Sequence, residues 1–126
     1  MSHFATIETQ IRDIAALGAA CAEMGVTLAE NAEARGYGAN KVRGDYVVRL
    51  RGPYDIAVNR QPSGAYGLTA DWWDGHVERE AGANFGRLLQ LYGVCKAQAE
   101  ARRKGYTTRR QTLGDGSIKL VIGGVA

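Results

Sequence analysis

Residues 45–73 read DYVVRLRGPYDIAVNRQPSGAYGLTADWW, and the period of their apolar positions decides the fold. Tyr46, Val48 and Leu50 alternate with Val47, Arg49 and Arg51, the pattern of a strand whose successive side chains point to opposite faces. Gly52-Pro53 is turn chemistry, after which Tyr54, Ile56 and Val58 share a face. Residues 61–64, QPSG, make a second turn, and Tyr66, Leu68, Ala70 and Trp72 line one face of a third strand. Strands this close, joined by turns this short, pair antiparallel. The stretch is a β-meander.

Outward from it the elements change type. The opening HFATIETQI (3–11) alternates, and Ser2-His3-Phe4 is expected to begin the edge of a sheet with Phe4 packed inside. Asp13 suits the N-cap of a helix carrying Ile14, Leu17, Cys21 and Met24, with Gly25 just past its end. VTLAEN (26–31) reads as a strand, while residues 32–45, with three glycines and many polar groups, read as a loop or loose hairpin. A second helix is expected from an Asn84 N-cap, with Phe85, Leu88, Leu89, Tyr92, Cys95 and Ala99 as its apolar stripe and Gly105 as its end. Gly86 and Gly93 inside it either allow close packing or weaken it. YTTRRQTL and SIKLVIGG then form a hairpin about Gly114-Asp115-Gly116. The order is β-α-β-β-β-β-α-β-β, an α+β two-layer sandwich in which two helices lie on one face of a mainly antiparallel sheet.

The chain has 126 residues, 45% hydrophobic and 23% charged, which suits one globular domain spanning 1–126 and argues against disorder. No apolar run approaches the roughly 20 residues of a bilayer span, and the N-terminus is not signal-like, so a cytoplasmic location is expected. Cys21 and Cys95 fall on the apolar faces of the helices without any short Cys/His spacing, and buried free thiols are expected. The net charge of +3 is mild. Lys96, Arg102, Arg103, Lys104, Arg109 and Arg110, opposed only by Glu100, nevertheless concentrate positive charge at the end of the second helix.

Catalytic signatures are thin. No phosphate-loop glycine pattern, nucleophile elbow or exposed electropositive cysteine occurs, and no cofactor is expected. Asp71, Asp74 and His76 could meet across a turn at Asp74-Gly75, but zinc needs three or four ligands with support. A polar loop after a strand accounts for them as well, and no metal is expected. The Trp72-Trp73 pair is more informative. If Trp72 continues the inward face of Tyr66, Leu68 and Ala70, alternation sends Trp73 outward with Asp71. An exposed tryptophan marks a contact surface, unless residues 32–45 or an oligomer partner cover it.

Taken in order, MSHF-x-x-I at the start, RGY at Arg35 to Tyr37, YDI at Tyr54 to Ile56, DWW at Asp71 to Trp73 and the closing KGY…DGSIKL resemble one family over nearly the whole chain. It is the small family typified by the hypothetical chloroplast reading frame thirty-five of algal plastids and cyanobacteria, with bacterial and phage relatives of unknown function. QLYGVCKAQ lacks a second aromatic after Tyr92, and the VIGGVA end lacks the Arg-Trp ending of many relatives. The resemblance brings no activity. Relatives are often encoded near an AAA+ ATPase, which implies an accessory role.

The expectation is therefore a non-enzymatic accessory or adaptor protein that works by protein–protein contact, with an AAA+ ATPase as one partner class. Its candidate surface is Asp71, Trp73, Asp74, His76, Arg35 and Tyr37. The alternative is a nucleic-acid binder using Arg102, Arg103, Lys104 and Arg109, in which Tyr106 and Tyr37 stack on bases. A metal-dependent enzyme centred on residues 71–76 comes third. Some self-association through an open sheet edge or the Trp73 side is also expected.

Overall fold

A computed structural model describes residues 2–125. Five strands form one antiparallel sheet: β1 (Phe4–Glu8), β2 (Thr27–Arg35), β3 (Lys41–Arg49), β4 (Ile56–Arg60) and β5 (Tyr66–Asp71), in the order β1-β5-β4-β3-β2. The meander of residues 45–73 is its centre, with Val48 opposite Ile56 and Ile56 opposite Ala70. A separate hairpin is formed by β6 (Tyr106–Thr112) and β7 (Ile118–Val125). Two long helices, α1 (Ile14–Met24) and α3 (Gly86–Arg103), cover one face of the sheet, as the α+β reading expects. No helix is long and apolar enough to cross a membrane.

The inward face carries Val48, Ile56, Val58, Leu68 and Ala70, all fully buried against Leu17, Ala20, Cys21, Leu88 and Phe85. Full burial of each large aliphatic contributes roughly 1.5–3 kcal/mol. Asp13 caps α1 by accepting the Ala16 N–H at 3.1 Å, and Gly25 ends it in the left-handed conformation. The thiols of Cys21 and Cys95 are free and buried, and burial pushes that of Cys21 up to about 11.

Three expectations need correction. First, residues 32–45 are not loose, because β2 and β3 run to Arg35 and from Lys41 in unbroken register. Polar composition hid these strands because their partners lie on the outer face of the sheet. Second, residues 76–81 form a short helix, α2 (His76–Ala81), whose Val77 and Ala81 sit one turn apart in the core. Third, Asn84 does not cap α3. It takes φ 53, and Phe85 follows at φ 62, so two non-glycine residues are held left-handed before the helix begins. That conformation is disfavoured for a bulky side chain. It is offset by complete burial of the Phe85 ring, 4.7 Å from the Trp72 ring.

The β6–β7 hairpin is tied down through Arg110. Its guanidinium donates to both oxygens of Glu23 on α1, at 2.5 and 2.8 Å, and to Gln98 on α3. Those hydrogen bonds hold the Glu23 carboxyl at about 2. Tyr106, Leu113 and Ile122 stay exposed.

Glycine substitutions should separate packed from open positions. A Cβ at Gly44, where the hairpin bends, would collide with the Tyr46 carbonyl oxygen, whereas one at Gly93 would meet nothing within 4 Å. Urea unfolding of Gly44→Ala should show a loss of about 1–3 kcal/mol. Gly93→Ala should gain up to about 1 kcal/mol, because the helix interior then lacks the entropy cost of glycine.

Candidate contact surface around Trp73

The outer face of the sheet is covered over β3 and β4 by the chain itself. Beyond the left-handed kink at Asn31 and the bend at Gly44, the β2–β3 hairpin folds back as an arm. Ala34 is buried against Val47 and Ala57, flanked by Ala32 and Val42, in a second small core. Two buried carboxylates fasten the far end of this arm.

Asp55, fully buried, accepts from the Arg35 guanidinium at 2.8 Å through each oxygen and from the Arg35 backbone N–H at 2.9 Å. Arg49 adds a bond of 3.1 Å, and the Asp55 N–H returns one to the Arg35 carbonyl. Burial pushes this carboxyl up, but the Arg35 and Arg49 contacts outweigh it and hold it below its usual range. Asp71, equally buried, accepts backbone N–H groups of His3 at 2.8 Å, Tyr37 at 2.9 Å and Trp73 at 3.0 Å. Burial again pushes up, and the N–H groups of Tyr37, His3 and Trp73 prevail, leaving the carboxyl lowered. Gly36 lies between them because a Cβ there would strike the Phe4 ring and come within 2.9 Å of Asp71.

This scaffold presents three aromatic rings. Trp73 is 38% exposed and Tyr37 45%. The Trp73 ring lies 5.4 Å from that of the exposed His3 and 6.1 Å, edge-on, from that of Tyr37. Trp72 turns the other way, partly buried on the main core. The split expected from alternation is present, but its cause differs. Strand β5 stops at Asp71, Trp72 leaves the extended region at ψ 7, and Trp73 opens a single 3-10 turn. Beside the rings, His76 Nε2 lies 3.7 Å from Asp74 Oδ2, and the His76 ring packs 4.8 Å from Tyr54.

Of the expected site residues, Trp73, Tyr37, Asp74 and His76 lie around this patch. Asp71 does not offer its carboxylate to a partner, because it is sealed and its oxygens are taken by N–H groups. Arg35 turns its Nε and Nη2 groups to Asp55 and the Gly52 carbonyl. No periodic signal in the sequence separates these two acids from surface ones. Asp74 and His76 approach each other as the turn allows, yet among the described residues no three His, Cys, Asp or Glu side chains come together to hold a metal. Arg102, Arg103, Lys104 and Arg109 are all exposed, while Arg110 is taken by Glu23. His3 was missed as a patch member, since strand-edge reasoning followed only Phe4.

No curated protein and no solved structure matches the chain. Residues 20–121 match the family described as a protein of unknown function, DUF1257. The chain is a member of that family. The matched stretch holds Arg35, Tyr37, Asp55, Asp71 and Trp73, so both carboxylate locks and two of the three exposed rings of this DUF1257 protein lie inside it. His3 lies outside it.

Asp71→Asn should lower stability by about 1–3 kcal/mol, since an amide nitrogen then faces backbone donors. The lowered native values of Asp55 and Asp71 also set a pH dependence. Their stabilisation is complete above the ordinary carboxyl value near pH ~4, and it is lost as pH falls through the native values. Urea midpoints measured from pH 7 downward should drop below pH ~4 in the wild type, and less steeply in Asp71→Asn.

Proposed function

We propose that this protein is a non-enzymatic accessory factor that acts by protein–protein contact through the patch of Trp73, Tyr37 and His3. The observation that carries the reading is a large exposed indole with two further rings around it on a backbone pinned by Asp71. Tryptophan and tyrosine dominate binding hot spots, and a pre-ordered surface loses little conformational freedom on association. Asp74 and His76 supply a polar rim. The likeness to the plastid and cyanobacterial family supports an AAA+ ATPase as the class of partner to test first, in a cytoplasmic setting.

A second reading rests on a separate observation. Arg102, Arg103, Lys104 and Arg109 are exposed, and none of them has an ion-pair partner among the described residues. Such a cluster suits the backbone of a nucleic acid, whose binding would weaken steeply with salt.

Affinity capture with the tagged protein should recover an ATPase, and Trp73→Ala should lose it while its unfolding midpoint stays close to that of the wild type. Capture unaffected by Trp73→Ala and Tyr37→Ala would remove the patch from consideration. Loss in a triple Arg102, Arg103, Lys104 to Gln variant, accompanied by salt-sensitive RNA or DNA binding, would favour the second reading.

A further inference from the structure

On the helical side, a cavity of about 400 Å³ opens between α2, the β3–β4 turn and the start of α3. Its lining includes Arg51, Arg79, Arg87, His76 and Glu80. Three guanidiniums thus face one space with one acid, and that acid is already engaged. Glu80 accepts the backbone N–H of Arg51 at 2.8 Å and of Gly52 at 2.9 Å, one on each oxygen.

None of the three arginines makes an ion pair among the described residues. Two are nevertheless held in place. Arg51 Nη2 donates to the Met24 carbonyl at 3.2 Å, at the end of α1, and packs where a Cβ on Gly25 would collide with it. Arg79 Nη2 donates to the Asp74 carbonyl at 2.8 Å, and Nη1 lies 3.2 Å from His76 Nδ1. Neutral acceptors thus orient two positive charges without cancelling them. The Arg87 side chain has no hydrogen-bond partner among the described residues. Like charges gathered in a concave space repel each other until an anion arrives.

We propose that this cavity binds the phosphoryl group of a small molecule, clamped by Arg51, Arg79 and Arg87 with His76 at its side. The lining carries three positive charges against one negative, close to the charge of about −1.5 to −2 on a phosphate monoester at neutral pH. Planar guanidinium forks match phosphate oxygens two at a time. The volume exceeds that of a lone phosphate and leaves room for a sugar or nucleoside, within the range of ordinary ligand sites. The site does not use the Trp73 ring and shares only His76 with the rim of that patch.

Isothermal titration and 1H–15N NMR at constant ionic strength would test it, using inorganic phosphate, pyrophosphate and AMP as probes. Saturable binding is expected, with shifts confined to residues 51–52, 76–80 and 87. Arg87→Gln should weaken it about tenfold or more, while its unfolding midpoint without phosphate equals that of the wild type. Arg103→Gln should bind as the wild type does. Tighter binding of AMP than of phosphate assigns the remaining space to a nucleoside; equal binding assigns the site to the phosphoryl group alone. Absence of saturable binding, an unchanged affinity in Arg87→Gln, or an equal loss in Arg103→Gln would overturn the proposal.

Discussion

Two carboxylates that have left water hold the outer half of this molecule together. An ionised carboxylate buried without partners costs several kcal/mol or more, and it is tolerated only where donors converge on it. Asp55 and Asp71 meet that condition in full only when the β2–β3 arm folds back and adds Arg35 and the Tyr37 N–H to the donors from Arg49, His3 and Trp73. The arm in turn has little apolar surface of its own. Its second core consists of Ala34, Val47 and Ala57 with two flanking residues, too small to fix its position by hydrophobic burial. Arm and carboxylates therefore require each other.

Such a lock specifies register as well as position. The acceptors of Asp71 are filled by three N–H groups from three separate segments: the N-terminus, the arm and the turn after β5. A slip of one residue in the hairpin would turn every side chain of the arm over and leave both carboxylates partly unpartnered. The convergence also explains why Arg35-Gly36-Tyr37, Tyr54-Asp55-Ile56 and Asp71-Trp72-Trp73 stand out in the sequence. They are the three parts of one joint, and the exposed rings are carried at its rim.

What the sequence made legible follows from where the periodic signal comes from. A face packed on helices writes a clean alternation into Tyr46, Val48, Ile56, Val58, Leu68 and Ala70, so the meander, α1 and the helical layer could be read directly. The arm could not, because its inner contacts are alanine and backbone, and its fixing residues are acids that look like surface. Asp71 reads as a surface residue for that reason: alternation gives the face of a residue but not what covers the face. The helix α2 escaped notice because only Val77 and Ala81 mark it within a charged run. Trp73 was placed correctly on the outside, although the turn at Trp72, and not period-two geometry, puts it there.

The two faces of the sheet are thus stabilised by different physics, and this bears on where binding sites can lie. The helical face is held by non-directional burial of one contiguous core. The cavity beside α2 opens at the rim of that face, where backbone carbonyls orient Arg51 and Arg79. The outer face is held by directional hydrogen bonds, which fix the backbone on which the surface rings stand. His76, which lines the cavity while its ring packs on Tyr54 and its Nε2 faces Asp74 beside Trp73, is where the two meet.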